Sequence, residues 1–264
     1  MRWGAPLQLA RFVKRPNRFV VHARLEADGR EVVAHLADPG RLKELLLPGA
    51  RMGLRPEAPS PTRTTRWTAM LVEAPESDGA LESDAVPEAD GAAESETGRW
   101  VSVNTTMPNR LVREALAAGA LEEFDGWRLV RHEVAYGDSR LDFLLADEAG
   151  RSLYVEAKSV TLVEEGVALF PDAVTARGAR HLEELIRAVE EGHQAAVLFV
   201  LQRPDASRIV AAESIDPVFS NTLGRAEAAG VRVLGRRCRV TWEGMEMGGP
   251  VPASSGAWPR GHAR

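Results

Sequence analysis

The sequence specifies an α/β protein, α+β overall: a small N-terminal β-barrel followed by a mixed sheet flanked by helices. Three observations lead there. Residues 1–73 break into short apolar–polar alternations separated by Gly- and Pro-containing turns, with no sustained helical period. Residues 175–191 and 219–229 carry apolar side chains at helical spacing, with a nearly all-apolar run, 195–202, between them. Residues 139–158, SRLDFLLADEAGRSLYVEAK, read as two alternating strands around a polar turn that ends in Gly150.

The first domain, 1–73, takes strands at 7–13, 18–25, 31–36, 50–55 and 67–73. Ala27-Asp28-Gly29 turns the second into the third. A short helix is expected from Arg41 through Leu46, stopped by Pro48-Gly49. Five strands and one short helix are the plan of an OB-like barrel, a fold that commonly grips nucleic acid on one face. Arg11, Lys14, Arg15 and Arg18 cluster early, Arg41 sits in the middle, and Arg63 and Arg66 cluster late; all seven are candidate DNA phosphate contacts. Phe12, Phe19 and Trp67 lie among them, and burial in the barrel is the reading preferred over base stacking.

Residues 74–99 are expected to be a disordered acidic insert or linker. Residues 74–98 hold eight of the chain's 38 acids and no base, so the rest of the chain carries +3 against −5 for the whole. A passive insertion is preferred over an arm that competes with nucleic acid for a basic groove. The Gly-, Pro- and Ser-rich end, 247–264, is likewise expected to be disordered.

The second domain, 100–246, begins with a helix that Asn109 can cap, with Leu111, Val112, Ala115 and Leu116 as its apolar stripe. Glu114 on its polar side is either an accessory metal ligand or a surface glutamate. A strand at 127–136, the 139–158 hairpin, a helix over 175–191, the strand 195–202, a helix over 219–229 and a strand at 231–239 follow. The order α-β-β-β-α-β-α-β is that of a restriction-endonuclease-like mixed sheet flanked by helices.

The chemistry concentrates on the hairpin. Glu156 and Lys158 are two apart and share a strand face, and Asp142 falls nearly opposite Val155 or Glu156. A one-residue bulge would unite the three. Two clustered carboxylates repel unless a cation lies between them, and Mg²⁺ or Mn²⁺ suits carboxylate and carbonyl oxygens, here Asp142, Glu156 and the Ala157 carbonyl. Lys158 beside them can orient an attacking water. The arrangement resembles the PD-(D/E)xK nuclease superfamily, with Ser139-Arg140-Leu141-Asp142 in place of Pro-Asp. The bland alternative is a polar strip on a solvent-facing hairpin.

A closer resemblance covers about residues 8–246. Asp38-Pro39-Gly40-Arg41, Val103-Asn104-Thr105, Pro108-Asn109-Arg110-Leu111-Val112, Ser139-Arg140-Leu141-Asp142-Phe143, Val155-Glu156-Ala157-Lys158-Ser159 and Phe170-Pro171-Asp172-Ala173 are similar to blocks of the sugar fermentation stimulation protein A family. The resemblance implies a DNA-binding protein with an OB-like and a nuclease-like domain, and a regulatory role in sugar, especially maltose, metabolism. The long acidic insert and Asp38, where Asn is common, depart from the family pattern. The resemblance also draws attention to Arg177 and His181, four apart on one helical face: Arg177 could clamp a phosphate and His181 contact the backbone or relay a proton. Asp172 could cap that helix.

The resulting expectation is a backbone-directed, not sequence-specific DNA-binding protein with an apparently intact phosphodiesterase centre. The alternative is a non-catalytic DNA-binding regulator. No helix-turn-helix pattern supports promoter reading. At 264 residues, 44% hydrophobic and 27% charged, the chain is ordinary for a folded protein. It has no bilayer-length apolar run and no signal-peptide core, and its single cysteine, Cys238, cannot form an internal disulfide. These features lead to a cytoplasmic location with no membrane partner, and leave a homodimer open.

Overall fold

The computed structural model describes residues 1–61, 63–75 and 99–257. The chain divides into two units, and each contains residues distant in sequence.

The first unit comprises Met1–Met107, Gln202–Asp205 and Cys238–Glu246. Strands β1 (Gln8–Asn17), β2 (Val20–Leu25), β3 (Glu31–His35), β4 (Arg51–Pro56), β5 (Trp67–Glu73) and β6 (Trp100–Ser102) form one sheet. Its order is β3-β2-β1-β4-β5-β6, and β3 also pairs with β5 in parallel, which closes the barrel. Alternating residues face inward, among them Ala10 and Phe12 of β1, Val21, Ala23 and Leu25 of β2, and Val32 and Ala34 of β3. The short helix expected from Arg41 to Leu46 is instead a pair of turns closed by the Leu45 and Leu46 amides on the Leu42 carbonyl. Leu42, where the turns begin, sits in the left-handed region at φ 48°, so no helix runs through it from Arg41. Leu42, Leu45 and Leu46 are nonetheless buried in the barrel core.

The domain boundary differs from the one expected at residue 100. Strand β6 pairs antiparallel with β5, Glu73 opposite Trp100 and Leu71 opposite Ser102. Trp100, Val101 and Val103 are buried, so these residues complete the barrel. The Ala74 amide donates to the Arg99 carbonyl at 2.9 Å, bringing the two ends of the acidic segment together. The expectations for 76–98 themselves lie outside the described residues.

The second unit comprises Pro108–Leu201, Ala206–Arg237 and Met247–Arg264. Helix α1 (Thr106–Ala117) leads into β7 (Arg128–Tyr136), β8 (Ser139–Ala146) and β9 (Ser152–Val160), then β10 (Leu162–Glu164) and β11 (Val167–Phe170). Helix α2 (Ala176–Glu190), β12 (Gln194–Leu201), β13 (Arg208–Ala211), α3 (Pro217–Ala228), β14 (Arg232–Val240), β15 (Met245–Pro250) and β16 (Ala253–Ala257) follow. The main sheet runs β15-β14-β12-β9-β8-β7. Strands β7, β8 and β9 are antiparallel, whereas β9, β12 and β14 are parallel. Ala195 to Leu201 are all buried, as a central parallel strand requires. Leu182, Leu185 and Ile186 of α2 and Phe219, Leu223 and Ala226 of α3 pack into the same core.

A second sheet, β10-β11-β13-β16, was not expected from the sequence. Nor is the segment from 247 disordered through its described part. Strand β16 pairs with β13, Ile209 opposite Ala253, and the Val251 amide donates to the Gly235 carbonyl at 2.8 Å. Gly235 permits this approach, since a Cβ there would lie 2.5 Å from the Val251 carbonyl oxygen.

Candidate functional site

Register builds the site. The turn between β8 and β9 is closed by the Gly150 amide on the Asp147 carbonyl, with Gly150 at φ 77°. Pairing then runs without irregularity from Ala146 opposite Ser152 to Phe143 opposite Val155. The ladder ends there, and beyond it Asp142 Oδ2 accepts from the Ala157 amide, which brings its carboxylate beside that of Glu156. Lys158 shares the strand face of Glu156, and β9 lies between β8 and β12 in the sheet.

Each side chain is held. Asp142 Oδ1 accepts from the Asn109 side-chain amide at 2.7 Å, and Oδ2 accepts from the Ala157 amide at 2.9 Å. Burial, reinforced by the Glu156 charge, pushes the Asp142 carboxyl up to about 7 despite those donors and Lys158. Glu156 is only 3% exposed. Its Oε1 accepts from Lys158 Nζ at 2.6 Å and from His181 Nδ1. Burial acts to raise the Glu156 carboxyl, but Lys158 and His181 outweigh it and hold it below the ordinary value. Glu156 Oε2 is buried with no hydrogen-bond partner, an open acceptor beside a second carboxylate.

Helix α2 brings His181 to this point. Thr175 caps the helix, its hydroxyl accepting from the Gly178 amide at 3.0 Å. His181 is buried, and Arg177 Nε donates to its Nε2 at 3.3 Å, which leaves the ring proton on Nδ1 for Glu156. Arg177, exposed, thus supports His181 through its Nε.

Helix α1 contributes a different residue from the expected one. Asn104, not Asn109, caps it, accepting from the Thr106 amide at 3.1 Å. Asn109 lies inside the helix and reaches Asp142. Glu114 is exposed and pairs with Arg110 at 3.2 Å. The sequence carries a signal for Asn109 only in its place one turn into a helix that precedes the hairpin. Among the described residues no three His, Cys, Asp or Glu side chains cluster as a metal site. A cation here would rest on Asp142, Glu156, the Ala157 carbonyl and water. The paired carboxylates and the unpartnered Glu156 oxygen fit a hard divalent ion.

The barrel bases separate into two groups. Arg15 donates to the carbonyls of Arg18, Asp38, Gly40 and Arg41, and so holds its own loop. Arg63 is fixed on Thr65, Trp67 and Thr68 and lies 3.4 Å from Glu57. Arg11 pairs with Glu26 at 2.5 Å. Lys14, Arg18, Arg41 and Arg66 are exposed. Phe12 is buried as expected, whereas Phe19 is exposed beside Arg18.

Comparison with known proteins agrees with this architecture. Residues 13–80 match the SfsA N-terminal OB domain, and residues 106–244 match the sugar fermentation stimulation protein RE domain. The sugar fermentation stimulation protein homolog of Moorella thermoacetica is 45% identical over 236 residues, covering 89% of this chain and 91% of that protein. That of Symbiobacterium thermophilum is 43% identical over 256 residues, covering 92% and 93%. The structure of Pyrococcus furiosus SfsA in complex with Ca²⁺ aligns over 96% of this chain and 98% of that one, with a TM-score of 0.79 and 26% identity.

Proposed function

Because this chain belongs to the sugar fermentation stimulation protein family, and because its central strands bring two carboxylates and a lysine together, we propose that it is a nucleic-acid-binding phosphodiesterase. DNA held mainly through its phosphates is the preferred substrate class. The observation that carries this reading is the half-buried Asp142 beside the buried Glu156, whose second oxygen has no hydrogen-bond partner. A protein that only binds an anionic polymer has no use for two clustered carboxylates at its contact face. Ca²⁺ in the Pyrococcus furiosus relative supports divalent-cation binding by a chain of this fold.

Asp142, Glu156 and the Ala157 carbonyl would hold the cation, Mg²⁺ or Mn²⁺ being the expected ions. When bound, it supplies Lewis acidity toward a phosphate oxygen and a more acidic water. Asn109 and the Ala157 amide orient Asp142, and Lys158 and His181 orient Glu156. Lys158 places the attacking water for in-line displacement of the strand oxygen, which leaves with a proton from solvent. Lys14, Arg18, Arg41 and Arg66 supply contacts to phosphates that carry no sequence information.

The test is incubation of single-stranded, duplex and branched DNA, and RNA, with Mg²⁺, Mn²⁺ or a chelator. Metal-dependent cutting lost in Asp142→Ala and Lys158→Ala is expected. Binding without cutting of any substrate, unchanged in both variants, favours the alternative of a DNA-binding regulator on a nuclease fold.

A further inference from the structure

Resting on that reading, we propose that Arg113 and His132, with Arg110, form the seat for a phosphate of the bound strand beside Asp142. On the side of Asp142 reached by α1, a cavity of about 270 Å³ is lined by Asn109, Arg110 and Arg113 of the helix and by His132 of β7. Arg110 and Arg113 are one helical turn apart and face the same way. Glu133 also lines the cavity, exposed and 3.8 Å from Arg140.

The walls thus carry both signs. Asp142 favours a cation, and Arg110, Arg113 and His132 favour an anion. That is the complement of a metal–phosphate pair. Among the described residues little neutralises the basic wall. Arg113 and His132 have no side-chain hydrogen bond or ion pair to a described residue, and Arg110 has only its 3.2 Å pairing with Glu114, both about half exposed. Such a pairing is weak and exchanges readily for a phosphate. Arg177, the other candidate clamp, donates to His181 through its Nε.

Size and exposure identify the ligand as a strand. The 270 Å³ is less than the ~300–1,000 Å³ typical of pockets that enclose a whole small ligand. It accommodates a phosphate and part of its sugar. Arg110, Arg113 and His132 are all exposed, so the remainder of the ligand continues over the surface.

The experiment measures binding of fluorescent oligonucleotides to the full chain in Ca²⁺, across salt concentrations. A methylphosphonate scan, in which one linkage at a time is neutral, locates the seated phosphate. Wild-type protein is expected to lose about tenfold in affinity at one linkage, and Arg113→Gln to lose about tenfold overall and become indifferent to that linkage. Arg110→Gln combined with Arg113→Gln lowers the slope of log affinity against log salt by about 1–2. Arg113→Lys, which keeps the charge, recovers part of the loss. Both arginines are exposed, and unchanged melting temperatures verify the fold of each variant. Equal affinity, slope and scan in wild type and variants overturn the seat while nucleic-acid binding stands. Failure of wild-type protein to bind any oligonucleotide overturns the functional reading and the seat together. Tighter binding of inorganic phosphate than of oligonucleotide overturns the strand as its ligand.

Discussion

Asp142 and Glu156 lie close together on neighbouring strands, yet their environments push them in opposite directions. Burial and the neighbouring charge raise Asp142 to about 7, whereas Lys158 and His181 keep Glu156 ionised. The stability consequences have opposite signs. A raised carboxyl retains its proton in the folded state, so Asp142 lowers the stability of the metal-free protein as pH rises from about 4 to about 7. Glu156, with its folded value depressed, contributes stability above its unfolded value of about 4.3, and that contribution disappears on acidification. Asp142→Asn removes the first effect and keeps the geometry, because its carbonyl can accept from Ala157 and a flipped Asn109 can accept its amide. Above pH 7, metal-free Asp142→Asn is expected to be about 1–3 kcal/mol more stable than wild type in urea titrations, with the advantage fading toward pH 4. A variant less stable than wild type at every pH would contradict this account. His181→Ala leaves Glu156 Oε1 with Lys158 alone and is expected to cost about 1–3 kcal/mol, read from the same titrations.

Two kinds of local signal position the elements that carry these residues. Side-chain caps fix where α1, α2 and α3 begin, at Asn104, Thr175 and Asp216. Asn104→Ala is expected to lose about 1 kcal/mol, and because α1 carries Asn109, a change in cation affinity should accompany it. Strand β12 is fixed by apolarity alone: Phe199 is buried, its ring 5.4 Å from that of Phe170, and it stands opposite Lys158 in the β9–β12 register. Phe199→Ala is expected to cost about 3–5 kcal/mol, seen as a lower urea midpoint with an unchanged slope.

The whole molecule links cation binding to folding. A cation that binds the paired carboxylates only in the folded state stabilises the protein by about 2.7 kcal/mol at a concentration 100 times its dissociation constant. Mg²⁺, Mn²⁺ or Ca²⁺ at neutral pH should therefore raise the melting temperature of wild type and leave that of Asp142→Asn nearly unchanged. A shift of the same size in both proteins would place the stabilising ion elsewhere. Strand β16 is the last described element; it pairs with β13 as the edge of the second sheet, next to the buried Val251. Truncation after Pro250 uncovers β13 and is expected to lower the melting temperature by several degrees.

Periodicity and chemistry along the chain determined much of this. The barrel strands, the α-β-β-β-α-β-α-β order and the triplet Asp142, Glu156 and Lys158 follow from alternation, helical spacing and a Gly-terminated turn, all of which act between near neighbours. Pairings between distant segments followed no such rule. The return of β6 to the barrel, the sheet formed by β10, β11, β13 and β16, and the ordered part of 247–264 depend on backbone hydrogen bonds that any sequence of tolerable size can make, as at Gly235. The same holds for roles within the site. Asn109 reads as a cap until Asn104 takes that place, and Arg15 reads as a phosphate contact until four carbonyls claim it. A side chain's chemistry is written in its residue type, but the partner that consumes it is chosen by whatever the folded chain places within three ångströms.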